Sequence, residues 1–313
     1  MRRLLLSIPL LLGISLIAFT VLHLAPGGPL AMYAATTPNL TLEQLAQIEE
    51  ALGLHDPFYI QYGKWLTGAI TGQWGFSYVD GRPALQVVLE RLPNTIQLTL
   101  AALLVAMALG IPIGIFTATR QNRLVRYVAQ VLTMTAVSMP TFWLGLMVIL
   151  LFSEGLGLLP SGGMYTIGAP FSLGDRLLHL IAPALVLATP RLAEWVRYTH
   201  SSMVEVMQED YVRTARAKGL SEAVVRNRHA LRNVLIVLVT LLGLSVPVLF
   251  SGALVTEAVF AWPGNGRLLV DSLIRRDYPV VMGSFMIIAL LVVVSNLLTD
   301  LAYGWLDPRV RYE

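Results

Sequence analysis

The chain has 313 residues, 56% of them hydrophobic and only 13% charged, with a mean hydropathy of +0.67. Soluble domains carry roughly 25% charged residues, so this chain has too little charge to cover a water-facing surface, and it is too hydrophobic to be a disordered one. It has no cysteine, which removes disulfides, thiolate metal sites and cysteine nucleophiles. The net charge of +3 is read as membrane topology, not nucleic-acid binding, because of where the basic residues stand.

A membrane-spanning helix needs about 20 mostly apolar residues. In lipid the backbone must satisfy its own hydrogen bonds, so each such run is predicted to be helical. The first run is Leu4 to Leu24, behind Arg2 and Arg3. Its length exceeds the apolar core of a signal peptide, so residues 1–24 are read as a retained helix.

Residues 25–93 form a long outer segment. Thr41-Leu-Glu-Gln44 reads as a capping box, followed by Leu42, Leu45, Ile48 and Leu52 at near-helical spacing. Asp56-Pro57 opens a second short helix. This segment suits a peripheral scaffold and a docking cap equally well.

The second span is expected from about Asn94 to Thr119 and the third from about Tyr127 to Phe152. The fourth, from about Leu177 to Thr199, alone carries internal charges: Arg191, Glu194 and Arg197, which can pair at i,i+3 near its end. The fifth runs from Val234 to Thr256 and the sixth from about Tyr278 to Thr299. Pro112, Pro140, Pro183, Pro190 and Pro247 lie in these spans; each removes a backbone hydrogen bond and can kink its helix.

Six spans put both termini on one side. With the termini inside, 14 Lys and Arg fall on the inner side and 7 on the outer, with Arg191 within a span. The positive-inside rule then places both termini in the cytoplasm.

The inner loop from Ser201 to Asn233 is the most informative. Glu209 and Asp210 precede Arg213, Arg216 and Lys218, the order that suits a helix dipole. Gly219 reads as a helix stop, and Ser221 as the cap of a following helix through Glu222 to Arg232. On charge alone, this loop equally fits a topology anchor. The outer stretch Ala261-Trp262-Pro263-Gly264-Asn265-Gly266 is rich in turn residues, and its Trp suits a membrane interface. It is read either as an external gate that folds back toward a pathway or as a plain turn.

Much chemistry is absent. The two lysines, Lys64 and Lys218, stand in no phosphate-binding loop, and neither His-Glu-x-x-His nor Gly-x-Ser-x-Gly occurs. His23, His55, His179, His200 and His229 are scattered and read as packing or interfacial residues. No catalytic, metal or cofactor site is expected.

The stretch from Glu209 to Ser221, followed by His229-Ala-Leu-Arg-Asn233, resembles the coupling segment of ABC importer permeases. More narrowly it resembles the B-type subunit of the dipeptide/oligopeptide/nickel permease family. Matching stretches are Gly53 to Tyr62, Arg91 to Thr95, Ser138 to Gly145, Val259 to Gly264, Arg276 to Val280 and Leu306 to Val310. They stand in the family's order over almost the whole chain. Two departures are Arg213-Thr214-Ala215, where the general pattern reads Glu-Ala-Ala, and Val237, where relatives often carry a proline that bends span five.

The resemblance implies an all-α polytopic protein with six transmembrane helices and the type I importer permease fold. The permease core would be 94–304, its coupling segment 205–232, and 305–313 a cytoplasmic tail. Glu209, Asp210, Tyr211, Arg213, Thr214, Ala215, Arg216, Ala217, Lys218 and Gly219 would dock into an ATPase cleft, and Trp262, Pro263, Gly264 and Asn265 would form the gate loop. The implied partners are a homologous second permease, two ATPase subunits, an extracytoplasmic solute-binding protein and the lipid bilayer of the inner membrane, with no nucleic acid. The expected cargo is di- or oligopeptides or peptide-like solutes, since nickel would want imidazole, thiolate or carboxylate ligands. Nickel or a nickel chelate, carried by a permease of the same family, remains the alternative. A stand-alone secondary transporter would place charged or broken-helix sites at the midplane, which these spans do not display.

Overall fold

A computed structural model describes residues 2–24, 41–51, 53–119 and 122–306. Expectations for Leu52, for the turn after Leu24, for Arg120 and for the tail after Leu306 fall outside these residues. Helix α1 spans Arg2–Leu24, α2 Leu42–Ala51, α3 Phe58–Ile70, α4 Ala84–Thr119 and α5 Arg123–Ser138. Helix α6, Thr141–Val148, continues as a π-helical stretch, Ile149–Gly155. Helices α7, Leu173–Val206, and α8, Asp210–Ala217, follow. A helical turn at Glu222–Val224 and a π-helical stretch at Val225–Ala230 lead into α9, Leu231–Val259. Then come α10, Asn265–Arg275, and α11, Tyr278–Leu306. Among the described residues there is no strand, only one isolated bridge between Phe76 and Pro83.

Four helices are long and apolar enough to cross a membrane unaided: Leu5–Leu24, Ala84–Thr119, Leu173–Val206 and Tyr278–Thr299. The expected third and fifth spans are bent pairs, and six spans result if each pair counts as one. Arg126–Ser138 and Thr141–Gly155 meet at 103°. Pro140 has no N–H to donate, and it holds Met139 extended, at φ −80° and ψ 128°. The third span, read from about Tyr127 to Phe152, is thus bent sharply at Pro140, one of the prolines that could kink its helix. Pro112, Pro183, Pro190 and Pro247 all lie inside continuous helices. In the fifth span, Glu222–Leu235 and Val237–Phe250 meet at 41° although Val237 replaces the relatives' proline.

The residues group into two compact units, 1–95 with 263–293 and 96–262 with 294–313. In the first, the capping box forms as read: Thr41 N–H donates to Gln44 Oε1 at 3.0 Å, and Gln44 N–H to Thr41 Oγ1 at 3.3 Å. Helix α3 begins after Pro57 and lies against α1. Phe19 stacks edge-on against Phe58 and Tyr62, and Ser15 and the Tyr62 hydroxyl are 2.8 Å apart. Buried Asp277, just before α11, receives hydrogen bonds from the Ser77 hydroxyl and from Tyr78 N–H, the latter at 3.0 Å. That ties the segment before α4 to the start of α11.

The second unit holds the main apolar core, built from α4, α7 and α9 around Leu98, Leu187, Trp195, Leu238 and Leu249. Its helices approach closely at glycines. A Cβ on Gly110 would lie 2.6 Å from Trp195 Cβ, and one on Gly114 2.5 Å from Thr199 Cβ. At Gly243 it would lie 2.1 Å from Thr299 Cγ2, and the Thr299 hydroxyl donates to the Gly243 carbonyl at 2.9 Å. Small residues at helix crossings are how spans pack where lipid supplies no hydrophobic drive between them. Helix α7 has 34 residues, or about 51 Å at 1.5 Å per residue, against a hydrocarbon layer of about 30 Å. It therefore projects beyond the membrane.

Candidate functional site

The segment expected to couple transport folds as a short amphipathic helix. Glu209 is the residue before α8, Asp210 sits in its first turn and Arg216 in its last, matching the dipole order read from the sequence. Thr214 Oγ1 donates to Asp210 O at 2.9 Å and Arg213 pairs with Asp210 at 3.3 Å. Val212 and Ala215 face inward and pack with Val225, which anchors the helix on the chain itself. Tyr211, Arg213, Thr214, Arg216, Ala217, Lys218 and Gly219 are exposed.

Gly219 ends the helix as read. At φ +77° it is left-handed; its N–H reaches Arg216 O at 2.9 Å and Leu220 N–H reaches Ala215 O at 3.4 Å. These bonds make a Schellman closure. The turn is crossed by Arg216, whose Nε and Nη2 donate to Glu222 at 2.8 and 3.3 Å. Asn233 Nδ2 donates to the Tyr211 hydroxyl at 2.7 Å, tying α8 to the start of α9. The expected second basic helix from Glu222 to Arg232 is corrected. Ser221 stands at the cap position without a side-chain cap bond, and the helix runs through its π stretch into α9 without a stop.

The loop after α9, expected on the outer side, is also more ordered than its turn-rich sequence implies. Trp262 N–H donates to Glu257 O at 2.9 Å and Ala261 N–H to Ala258 O at 3.3 Å, again a Schellman closure. Here Ala261, at φ 49°, takes the left-handed position usually held by glycine. Trp262 is fully buried in the core with Leu249 and Ala253, so the interfacial placement expected for it is corrected. Gly163 N–H donates to Phe260 O at 2.8 Å, and a Cβ on Gly162 would lie 2.6 Å from that oxygen. Beyond Trp262, Asn94 Nδ2 donates to Pro263 O at 2.8 Å, and Asn265 N–H to Thr95 Oγ1 at 2.8 Å. Asn265 is fully buried, so a reagent cannot reach this position of the expected gate in this conformation.

Arg191 pairs with Glu194 at 2.7 Å, as its spacing suggested. Among the described residues no group of His, Asp and Glu is placed to hold a metal ion. The sequence reading missed the glycine seams at Gly110, Gly114 and Gly243. The four-residue spacing of Gly110 and Gly114 was the available signal. It also missed the tie from Ser77 to Asp277, whose partners stand 200 residues apart.

With up to six candidate spans and no strand among the described residues, the chain has the architecture of a polytopic helical membrane protein. Residues 110–312 match the family described as the binding-protein-dependent transport system inner membrane component, and residues 1–99 match its N-terminal family. The chain belongs to this family of ABC transporter permeases, and membership implies an ATPase and a substrate-binding protein as partners. It is 42% identical to the oligopeptide transport system permease protein AppB of Bacillus subtilis, over 99% of this chain and 98% of that one. It is 39% identical to the dipeptide transport system permease protein DppB of Escherichia coli K12, over 100% and 98%. It is 38% identical to the glutathione transport system permease protein GsiC of Salmonella choleraesuis, over 100% and 98%. Its fold is similar to the MetNI methionine ABC transporter in an inward-facing form, with a TM-score of 0.56 at 16% identity, covering 72% of this chain and 98% of that one.

Proposed function

We propose that this chain is one permease of a heterodimer that carries di- or oligopeptides, or peptide-like solutes, inward across the cytoplasmic membrane. The observation that carries the cargo is the full-length similarity to permeases named for oligopeptides, dipeptides and glutathione. The partners in this reading are a homologous second permease, two ATPase subunits and an extracytoplasmic binding protein. The 14-to-7 distribution of basic residues supports both termini in the cytoplasm.

In this reading α8 is the part that docks into the ATPase cleft. Its support is geometric: Val212 and Ala215 fix the helix to the chain, which leaves Arg213, Thr214, Arg216, Ala217 and Lys218 as the outward surface. Nucleotide-driven movement of that surface would be passed to α7 and α9, which flank it in sequence. The permease core is 94–304, and Trp262 to Asn265 contribute to the outer gate. Purification with the co-expressed neighbouring subunits, followed by ATP-dependent uptake of a labelled dipeptide, tests the assembly. Calorimetry on the binding protein tests the cargo. Binding of nickel or a nickel chelate without di- to oligopeptides would overturn the cargo and leave the family standing.

A further inference from the structure

A concavity in the second unit lies between α5 and α7, with a volume of about 810 Å³. It is walled on one side by Arg123, Arg126, Gln130, Thr133 and Val137, one stripe of α5 at helical spacing. The opposite face of α5 presents Leu124, Val128, Val131 and Leu132, all exposed. This amphipathicity is inside out: the polar stripe faces the hollow and the apolar one faces away. In a membrane protein polar side chains turn to the bundle interior or to a water-filled cavity.

The charge left without an ion-pair partner in the hollow, among the described residues, has one sign. Arg123, Arg126 and Arg197 line it, and among the described residues none of the three has a carboxylate within ion-pairing distance. The one acidic residue in the wall, Glu194, is already held by Arg191 at 2.7 Å. Thr117 and the ring of His200, 3.1 Å apart, satisfy each other deeper in the same wall. In the orientation proposed above, the arginines stand at the cytoplasmic end of α5 and α7. A concave surface with apolar walls and charges of one sign concentrates ions of the opposite sign.

We infer that this hollow is a water-filled, anion-attracting vestibule on the solute's way into the cytoplasm, and that Arg126 and Arg197 receive the carboxylate of the passing solute. The inference rests on the proposed peptide cargo for its ligand but not for its electrostatics, and the two are tested apart.

The chain has no cysteine, so Ser138→Cys, in the wall of the hollow, is a single reporter. In inside-out vesicles carrying the chain with its partners, its labelling by a sulfonate thiosulfonate reagent is compared with that by a trimethylammonium one. Each rate is normalised to the same reagent's rate with a free thiol. The anionic reagent is expected to react about tenfold faster. That preference should collapse at about 1 M salt, where charges are screened within ~3 Å. It should also collapse in R126Q/R197Q. Equal normalised rates in the parent, or no reaction with either reagent, would overturn the vestibule. The salt arm needs no second substitution and so stands even if R126Q/R197Q misfolds.

The ligand is tested by uptake of a dipeptide and of its C-terminal amide, both first shown to bind the same binding protein. R126Q/R197Q should slow the free acid about tenfold and should not slow the amide, whose one charge is its N-terminal ammonium. Equal loss with both would overturn the carboxylate assignment. If the parent carries neither peptide, the cargo reading and the carboxylate assignment both fail, and the reagent ratio alone then decides the vestibule.

Discussion

Gly110 presents bare backbone to Trp195: a methyl group on Gly110 would lie 2.6 Å from the tryptophan Cβ and 3.2 Å from the carbonyl of Leu192. One turn on, Gly114 makes the same approach to Thr199, with Val196 O at 2.9 Å. The obstacles are backbone and Cβ atoms, not flexible side-chain ends, so the helices must part to admit even alanine.

Gly110→Ala and Gly114→Ala are therefore each expected to destabilise the second unit by about 1–3 kcal/mol, the usual cost of overpacking. Gly252→Ala is the control, since its added Cβ would meet only Leu187 Cδ1 at an ordinary 3.5 Å. Thermal melts in detergent followed by size-exclusion chromatography would show the first two melting lower and the control unchanged. Equal melting of all three would show that the seam is not tight.

Two substitutions in α8 should separate docking from folding. Ala217→Trp enlarges an exposed position and is expected to abolish ATP-dependent uptake while the chain reaches the membrane and melts normally. Ala215→Trp strikes a position that is 5% exposed and packed on Val212 and Val225. It is expected to lower the melting temperature as well as uptake. Normal uptake by Ala217→Trp would remove this face of α8 from the ATPase contact.

Ala261 pays for its left-handed backbone with a Cβ clash that glycine avoids. Ala261→Gly keeps the Schellman bonds and relieves that clash, against the greater freedom glycine gains in the unfolded chain. The expected result is a net stabilisation of roughly 0.5–1 kcal/mol. Ala261→Val, whose branched side chain tolerates positive φ poorly, should be destabilising. A fall in melting temperature for the glycine variant would contradict this balance.

The turn before α4 carries a weak acid dependence. Burial pushes the Asp80 carboxyl up, but hydrogen bonds involving Ser77 and Arg82 outweigh it and hold the group below its usual value of 3.8. A carboxylate with a depressed folded value stabilises above its unfolded pKa, and that contribution is lost as pH falls through the folded value. Asp80→Asn should therefore differ from the parent in thermal stability at pH 5 to 7 and converge with it in acid, below about pH 3. Because Asp80 and Arg82 are largely exposed, the difference is expected to shrink with added salt. A gap that persists unchanged in acid would assign the effect to something other than this charge.

Several features were legible in the sequence because they are local. The apolar runs fix which segments can cross a membrane, since length and hydropathy decide that residue by residue. Thr41 and Gln44 cap α2 as read, because both partners lie within one turn. The order of charges from Asp210 to Arg216 and the stop at Gly219 define α8, because a dipole and a left-handed residue act over a few positions. The family could be read from motifs spread along the chain, each short and in order.

The tertiary structure alone decided the rest, because it depends on neighbours far along the chain. Pro140 breaks its span at 103°, while Pro183 and Pro190 sit in an unbroken α7. A proline removes one hydrogen bond anywhere, and whether the helix bends depends on what packs beside it. Ala215 and Ala217 look alike in sequence, yet Val225 takes one inward and leaves the other on the surface. Trp262 reads as interfacial, but the closure onto Glu257 and the core around Leu249 bury it. The polar stripe of α5 lies in a segment read simply as a span, and only the position of α7 opposite it makes it the wall of a hollow.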